Sequence, residues 1–355
     1  MAWRYLEVKE REVPRCNAIH AVLARGINQG ITPNTVFLEE CPGYVLSLGR
    51  NQCPEEEISI EACRTLNVKI ERRDTGGGAG LMVPGSTSWG VCVSMADPVV
   101  AHDMDENMRR LSHGVVRGLQ ILGLNSYFSP VNDIDVDGKK IGGITALIRG
   151  NALLVYGSVI TDFDAEKWTQ ISRAPPIKLE KKGVSSIRKR VTTLTQELGR
   201  KVPPSDVREA LVKGYEESLH TTLEKKGLSP AEQKIWEEEI KRFSSPDFIL
   251  RPRHPCRLRL GKHVHPAEKG IIIVSVYLLE GKIADIGISG DFMQISDFDF
   301  DELAGTLFGL PAEKECIYRT VTNFFNEKNA ALMGVTPEDF VQAIMGAVSS
   351  FQEAD

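Results

Sequence analysis

The chain has 355 residues, 42% hydrophobic and 26% charged, enough apolar content for a full core in one large domain or two. A net charge of -5 argues against a protein whose main task is coating nucleic acid, and no apolar run reaches the roughly 18 residues of a membrane span. Seven scattered cysteines (Cys16, Cys41, Cys53, Cys63, Cys92, Cys256, Cys316) without a CxxC pair, and a start, MAWRYLEVKEREV, without an export pattern, lead us to expect reduced thiols and a cytoplasmic location.

Along the chain, TVFLEECPGYVLSLGRNQ (35–52) predicts two short strands around a Pro-Gly turn, and ISIEACRTLNV a short helix feeding the strand VKIERR. STSWGVCVSM (86–95) predicts a strand with polar–apolar alternation. A helix follows over 103–123, with Leu111, Val115, Leu119 and Leu122 on one face and a glycine at its end. VNDIDVDGKKIGGITALIRGN (131–151) predicts a hairpin, and ALLVYGSVI the next strand. This order is mixed α+β rather than strictly alternating.

From about residue 165 the chain turns basic and proline-bearing, which predicts an exposed loop over 166–190. Two helices follow, over 204–227 and 229–243, each with a serine near its start as a candidate cap. The stretch 243–255 reads as a linker. Beyond it come a hairpin around Glu280-Gly281 and helices to the C-terminus, a small α+β unit of about a hundred residues. We therefore draw two domains, 1–248 and 249–355. His254, Cys256, His263 and His265 cluster in RHPCRLRLGKHVHP, but no carboxylate stands at zinc-ligand spacing, so this reads as a basic polar linker.

Three stretches carry chemistry. In RRDTGGGA (72–79) a strand ends in glycines, where backbone N–H groups can approach a ligand closely; Arg72 and Arg73 supply charge for an anion. It lacks the Gly-Lys-Ser/Thr of a P-loop and the spaced glycines of a dinucleotide fold, and the bland alternative is a glycine-rich surface turn. In VNDIDVDGKKIGGI (131–144), Asn132 and Asp133 offer oxygens suited to magnesium or a ribose, and only one of Lys139 and Lys140 can point inward. Lys140, just before the glycines, is the better candidate for stabilising developing negative charge; the alternative is an exposed hairpin tip. VSSIRKRVTTL (184–194) is either a solvated charge run or a basic loop that closes over an anionic intermediate.

Taken in order, GYVLSLGRNQ, RRDTGGGAG, NDIDVDGKKIGGI, VYGSVITDF and SSIRKRVTTL resemble the lipoate–protein ligase A family, within the biotin/lipoate ligase and octanoyltransferase superfamily. The resemblance is close over residues 1–200 and looser into GKIADIGISGDF. It implies an α+β fold with a large mixed-sheet catalytic domain and a small C-terminal domain. It also implies activation of lipoate by ATP and magnesium to lipoyl-adenylate, and transfer to a lysine of a lipoyl carrier: a 2-oxoacid dehydrogenase E2, the glycine cleavage H protein or a specialised lipoate-binding protein. Arg73 matches the arginine that touches nucleotide, Gly76, Gly77, Gly78, Ala79, Gly80 and Leu81 the loop around the adenylate, and Lys140 the lysine at the lipoyl carboxyl and α-phosphate. Gly157 and Ser158 match a Gly-Thr/Ser that closes the pocket. Asn132, Asp133 (also as magnesium ligand), Gly143 and Arg190 complete the expected site.

Departures from the family pattern are Met82, Val83 and Ser86 in place of His, Asp and Asn, Tyr156 in place of His, and Gly142 and Ile144 after the lysines. The nearest rival is an octanoyl- or lipoyl-transferase working through a cysteine; no cysteine lies between Cys92 and Cys256. A non-catalytic lipoyl binder is the remaining alternative.

Overall fold

The computed structural model describes residues 3–8, 12–173, 190–251 and 260–351. Strands are numbered along the chain: β1 (Trp3–Val8), β2 (Thr35–Glu40), β3 (Val45–Leu48), β4 (Lys69–Arg72), β5 (Gly80–Met82), β6 (Thr87–Ser94), β7 (Ser126–Ser129) and β8 (Asp133–Val136). There follow β9 (Lys139–Arg149), β10 (Ala152–Val159), β11 (Leu223–Lys225), β12 (Gly261–Pro266), β13 (Ile271–Leu279), β14 (Lys282–Gly290), β15 (Met293–Gln294) and β16 (Leu332–Met333).

Eight of them form one mixed sheet in the order β11-β1-β2-β6-β10-β9-β8-β7. The helices Met104–Ile121 and Pro204–Ser218 cover one face, where Trp89, Val91, Leu111, Val115 and Leu211 join a common core. These helices cross so closely that a Cβ on Gly214 would lie 2.2 Å from the carbonyl of Gly114. The helix Val13–Asn28, backed by Pro230–Ser244, covers the other face through Ile19, Leu23, Phe37 and Leu154. Being covered twice, β6 is buried along Thr87–Val93, so the expected alternation gives way to burial on both faces.

A separate sheet, β4-β3-β5, sits beside this one. The two strands of 35–52 are thus not a hairpin: β2 belongs to the large sheet and β3 to the small one. The C-terminal body is the antiparallel sheet β12-β13-β14 under the helices Phe300–Leu307, Lys314–Glu327 and Pro337–Ser350, with Phe292, Phe298, Phe300 and Phe340 at its centre. Its hairpin turns at Glu280-Gly281, both with positive φ, as the sequence predicts. Met293, Ile295 and Met333 leave this body and pack into the main core.

Several local expectations are corrected. Ala165–Ile171 is helical, capped by Asp164, within the stretch read as loop. The helix Pro204–Ser218 has Pro203 at its N-cap, which offers no side-chain acceptor; Ser205 lies inside the first turn and bonds to Asp206. Ser229 does cap the next helix, in a capping box with Glu232. Strand β11, parallel to β1, was not anticipated within 219–227; three residues are too few for a periodic signal. Much of the basic loop, 174–189, and also His254 and Cys256, lie outside the described residues. No helix of the described residues is long and apolar enough to cross a membrane.

Candidate active site

The glycine segment leaves β4 and returns as β5 along β3, with Ser47 opposite Gly80. Successive residues of an extended strand face opposite ways, and this separates the two arginines. Arg72 turns away from the cavity and, 2% exposed, donates to the carbonyls of Gly49, Arg50, Gln52, Phe248 and Ile249. It ties loops together and is not an anion contact, contrary to expectation. Arg73 lines the cavity and donates to the carbonyls of Ser47, Gly76 and Gly78 at 3.1, 2.9 and 2.8 Å. It holds the glycine loop in shape from inside. Asp74 is buried between Arg242 and Arg149.

Why glycine is needed at the turn follows from its neighbours. Gly77 has φ +91, and its N–H donates to the carbonyl of Phe292 at 3.0 Å. A Cβ on Gly76 would lie 2.6 Å from that same carbonyl oxygen. The loop therefore rests on the segment that leaves the C-terminal body.

Opposite the loop stands the β8–β9 hairpin. A register shift between Ile134 and Asp135 pairs Asp135 with Lys140, and Asp133 with Gly143. Lys139 is exposed; Lys140 reaches Asp133 Oδ1 at 2.5 Å, and Arg190 reaches Asp133 Oδ2 at 3.0 Å. A Cβ at Gly143 would stand 3.1 Å from Lys140 Nζ, so the glycine leaves room for the ammonium group. Asn132 holds the hairpin, donating from Nδ2 to the Ile144 carbonyl (3.0 Å) while its own carbonyl accepts from the Ile144 N–H (2.8 Å).

Both oxygens of Asp133 are engaged by basic groups, and among the described residues no three His, Cys, Asp or Glu side chains gather as a metal site. The residues present do not form a ready magnesium site. Asp133 is the counter-charge of Lys140 and Arg190.

The two halves face one cavity of about 970 Å³. Arg73, the loop Gly76–Leu81, Asn132, Asp133, Lys140, Gly143, Gly157, Ser158 and Arg190 all line it. So do Met82, Ile144 and Tyr156 among the departures, whereas Ser86 braces a turn through the Val83 N–H and Thr161. The Tyr156 hydroxyl meets Thr75 Oγ1 at 3.1 Å.

Sequence reasoning missed the inner end of this cavity. His20 and Glu39 line it, 4% and 7% exposed, with His20 Nε2 3.4 Å from Glu39 Oε1. Glu71 is buried beside them, and burial pushes its carboxyl up to about 7, against the lowering effect of Ser47, His20 and Asn17. The one available signal was acid within a strand-like run: Glu39 in TVFLEE and Glu71 in VKIERR. Cys16 and Cys41 also line the cavity; burial pushes the Cys41 thiol up to about 12, and its sulfur contacts the Gly43 carbonyl.

A family model described as the lipoyl protein ligase A/B catalytic domain matches residues 15–216. The chain belongs to this lipoyl protein ligase family. A second model, the bacterial lipoate protein ligase C-terminus, matches residues 262–344. A probable lipoate-protein ligase A from Mycoplasma pneumoniae is 25% identical over 344 residues, 96% of this chain and 97% of that protein. An octanoyltransferase LipM from Clostridioides difficile is 23% identical over 265 residues, 97% of its own length but 69% of this chain. Among solved structures, the bi-partite lipoate protein ligase of Thermoplasma acidophilum, determined in a study of an archaeal lipoylation system with its E2 lipoyl domain, superposes with a TM-score of 0.61 at 25% identity. That match covers 70% of this chain and 96% of that one. The large mixed sheet with a small C-terminal body is thus the fold of lipoate–protein ligases.

Proposed function

We propose that the chain is an ATP-dependent lipoate–protein ligase. The observation that carries this is the placement of Lys140, paired with Asp133 and flanked by Arg190, in the same cavity as the glycine loop. In the first step a lipoate carboxylate oxygen attacks the α-phosphorus of ATP, the bond to the bridging oxygen breaks, and pyrophosphate leaves with that electron pair. In the second, a carrier lysine amine attacks the acyl carbon of the lipoyl-adenylate; AMP leaves and the amine loses a proton as the amide forms. Negative oxygen builds near the acyl–phosphate bond in both steps.

Lys140 offsets that charge as a fixed cation, and Gly76–Gly78 allow the backbone to close on the ligand. Arg73 keeps the loop in register and offers its guanidinium to the nucleotide. Asn132 and Gly143 hold and clear the lysine, Ser158 faces the acyl chain, and Arg190 adds charge for the phosphates. Magnesium would enter with ATP, held by phosphate oxygens and water, and would neutralise part of the phosphate charge.

The ligase relative spans both parts of this chain, whereas the transferase relative spans about two thirds, and this favours the ligase over a transferase. A transferase also needs a thiolate, and the burial that raises Cys41 disfavours one. As carrier we propose a lipoyl domain of the E2 or H-protein kind. Lipoate-dependent exchange of pyrophosphate into ATP, followed by intact-mass detection of a lipoylated carrier, tests the reading. Acyl transfer from an acyl-carrier thioester without ATP would overturn it.

A further inference from the structure

The floor of the cavity is one row of residues running across the large sheet. Gly143 on β9 pairs with Ser158 on β10, Ser158 with Ser88 on β6, and Ser88 with Glu39 on β2; all four line the cavity. Lys140 stands over the first of these and Glu39 is the last. Three inter-strand steps separate the ends, roughly 14 Å. An eight-carbon acid advances about 1.2 Å per bond when extended and reaches roughly 9 Å, and the inward-projecting Lys140 and Glu39 side chains take up the rest. If the carboxyl lies at Lys140, as the proposed function has it, the far end of the acyl chain arrives at Glu39.

That end is polar where an alkyl tail would want hydrocarbon. Glu39 Oε1 and His20 Nε2 are both buried, and neither has a hydrogen-bond partner among the described residues. They lie 3.4 Å apart, and the third group there, Glu71, is buried as well. A plain alkyl terminus pushed against these groups would displace water without replacing its hydrogen bonds, which costs affinity. A terminus that donates a hydrogen bond gives Glu39 Oε1 the donor it lacks.

We infer that Glu39 and His20 are specificity-determining residues that select a medium-chain carboxylic acid carrying a hydrogen-bond donor at its distal end. The reduced, dithiol form of lipoate belongs to this class; octanoate and the disulfide form do not. Recognition of a ligand donor by a buried group is a strong discriminator because the analogue lacking it leaves that group unpaired.

The test is ATP–pyrophosphate exchange under argon with four acids: dihydrolipoate, 8-hydroxyoctanoate, octanoate and oxidised lipoate. For the wild-type chain we expect kcat/KM for 8-hydroxyoctanoate and dihydrolipoate about tenfold or more above those for octanoate and oxidised lipoate. Glu39→Leu should abolish or reverse this ratio. His20→Phe, whose ring would replace one already lying against Phe37 and Tyr156, reads the same ratio should β2 not tolerate leucine, with thermal melting reporting folding of both. Octanoate used as well as the hydroxy acid by the wild type would overturn the inference and leave the ligase reading standing. A preference that survives in both variants would also overturn it. Exchange with none of the four acids would overturn the ligase reading, and this inference with it.

Discussion

Replacing Lys140 removes the cation opposite the glycine loop and one of the basic partners of Asp133. Lys140→Ala should lower the rate of lipoate-dependent pyrophosphate exchange about a hundredfold, the usual cost of losing one preorganised charge contact. Near wild-type exchange would take Lys140 out of the chemistry. Glu71 makes a different prediction. Its folded-state value is raised from 4.5 to about 7, so between these pH values the folded protein binds more protons than the unfolded chain, and stability falls as pH rises. Denaturant unfolding should show wild-type stability declining by up to ~3 kcal/mol across this window, and Glu71→Gln flattening the decline. Equal slopes would show that Glu71 titrates normally. At this scale the sequence exposes Lys140 because lysine next to paired glycines is an unusual local pattern. Glu39, Glu71 and His20 stay hidden because their meeting depends on two strands and a helix far apart in the chain.

The glycine loop shows what an element borrows from its surroundings. RRDTGGGAG reads correctly as a strand ending in a close-approach turn, yet what approaches Gly76 and Gly77 is the backbone at Phe292 as well as the cavity. Gly76→Ala would press a methyl group against that carbonyl, and the loop would have to lift from the C-terminal segment. We expect the variant to fold with a modest loss of stability, about 1–3 kcal/mol, and to lose most adenylation activity, measured by melting and exchange in parallel. Full activity would mean that the loop need not sit where it does. The Arg72–Arg73 pair makes a related point. Composition gives both residues the same charge, and strand alternation alone sends one to brace loops and the other to the cavity.

Across the whole molecule, a line of charges ties the parts together: Arg242 to Asp74, Asp74 to Arg149, Arg149 to Asp297 and Asp297 to Arg50. Burial alone would raise the Asp74 carboxyl, but hydrogen bonds from Arg242 and the charges of Arg149 and Arg50 hold it well below its usual value. Its contribution to stability is therefore complete above pH 3.8 and disappears as the pH falls through the lower, folded-state value. Asp74→Asn should cost about 3 kcal/mol at neutral pH, because it removes the buried carboxylate that Arg242 and Arg149 share, and should lessen the acid sensitivity of unfolding. An unchanged midpoint of unfolding would show that the line contributes nothing. None of these pairings is legible in the sequence, since each joins residues far apart in the chain; the order of strands and helices is, because periodicity and turn residues act locally.

The hydrogen bond from Gly77 to Phe292 also makes the pocket observable without substrate. An amide held by a distant carbonyl exchanges its proton with solvent only when that contact opens. The exchange rate at this single position therefore clocks how often the C-terminal segment lifts from the cavity wall, and a ligand that closes the loop should slow it.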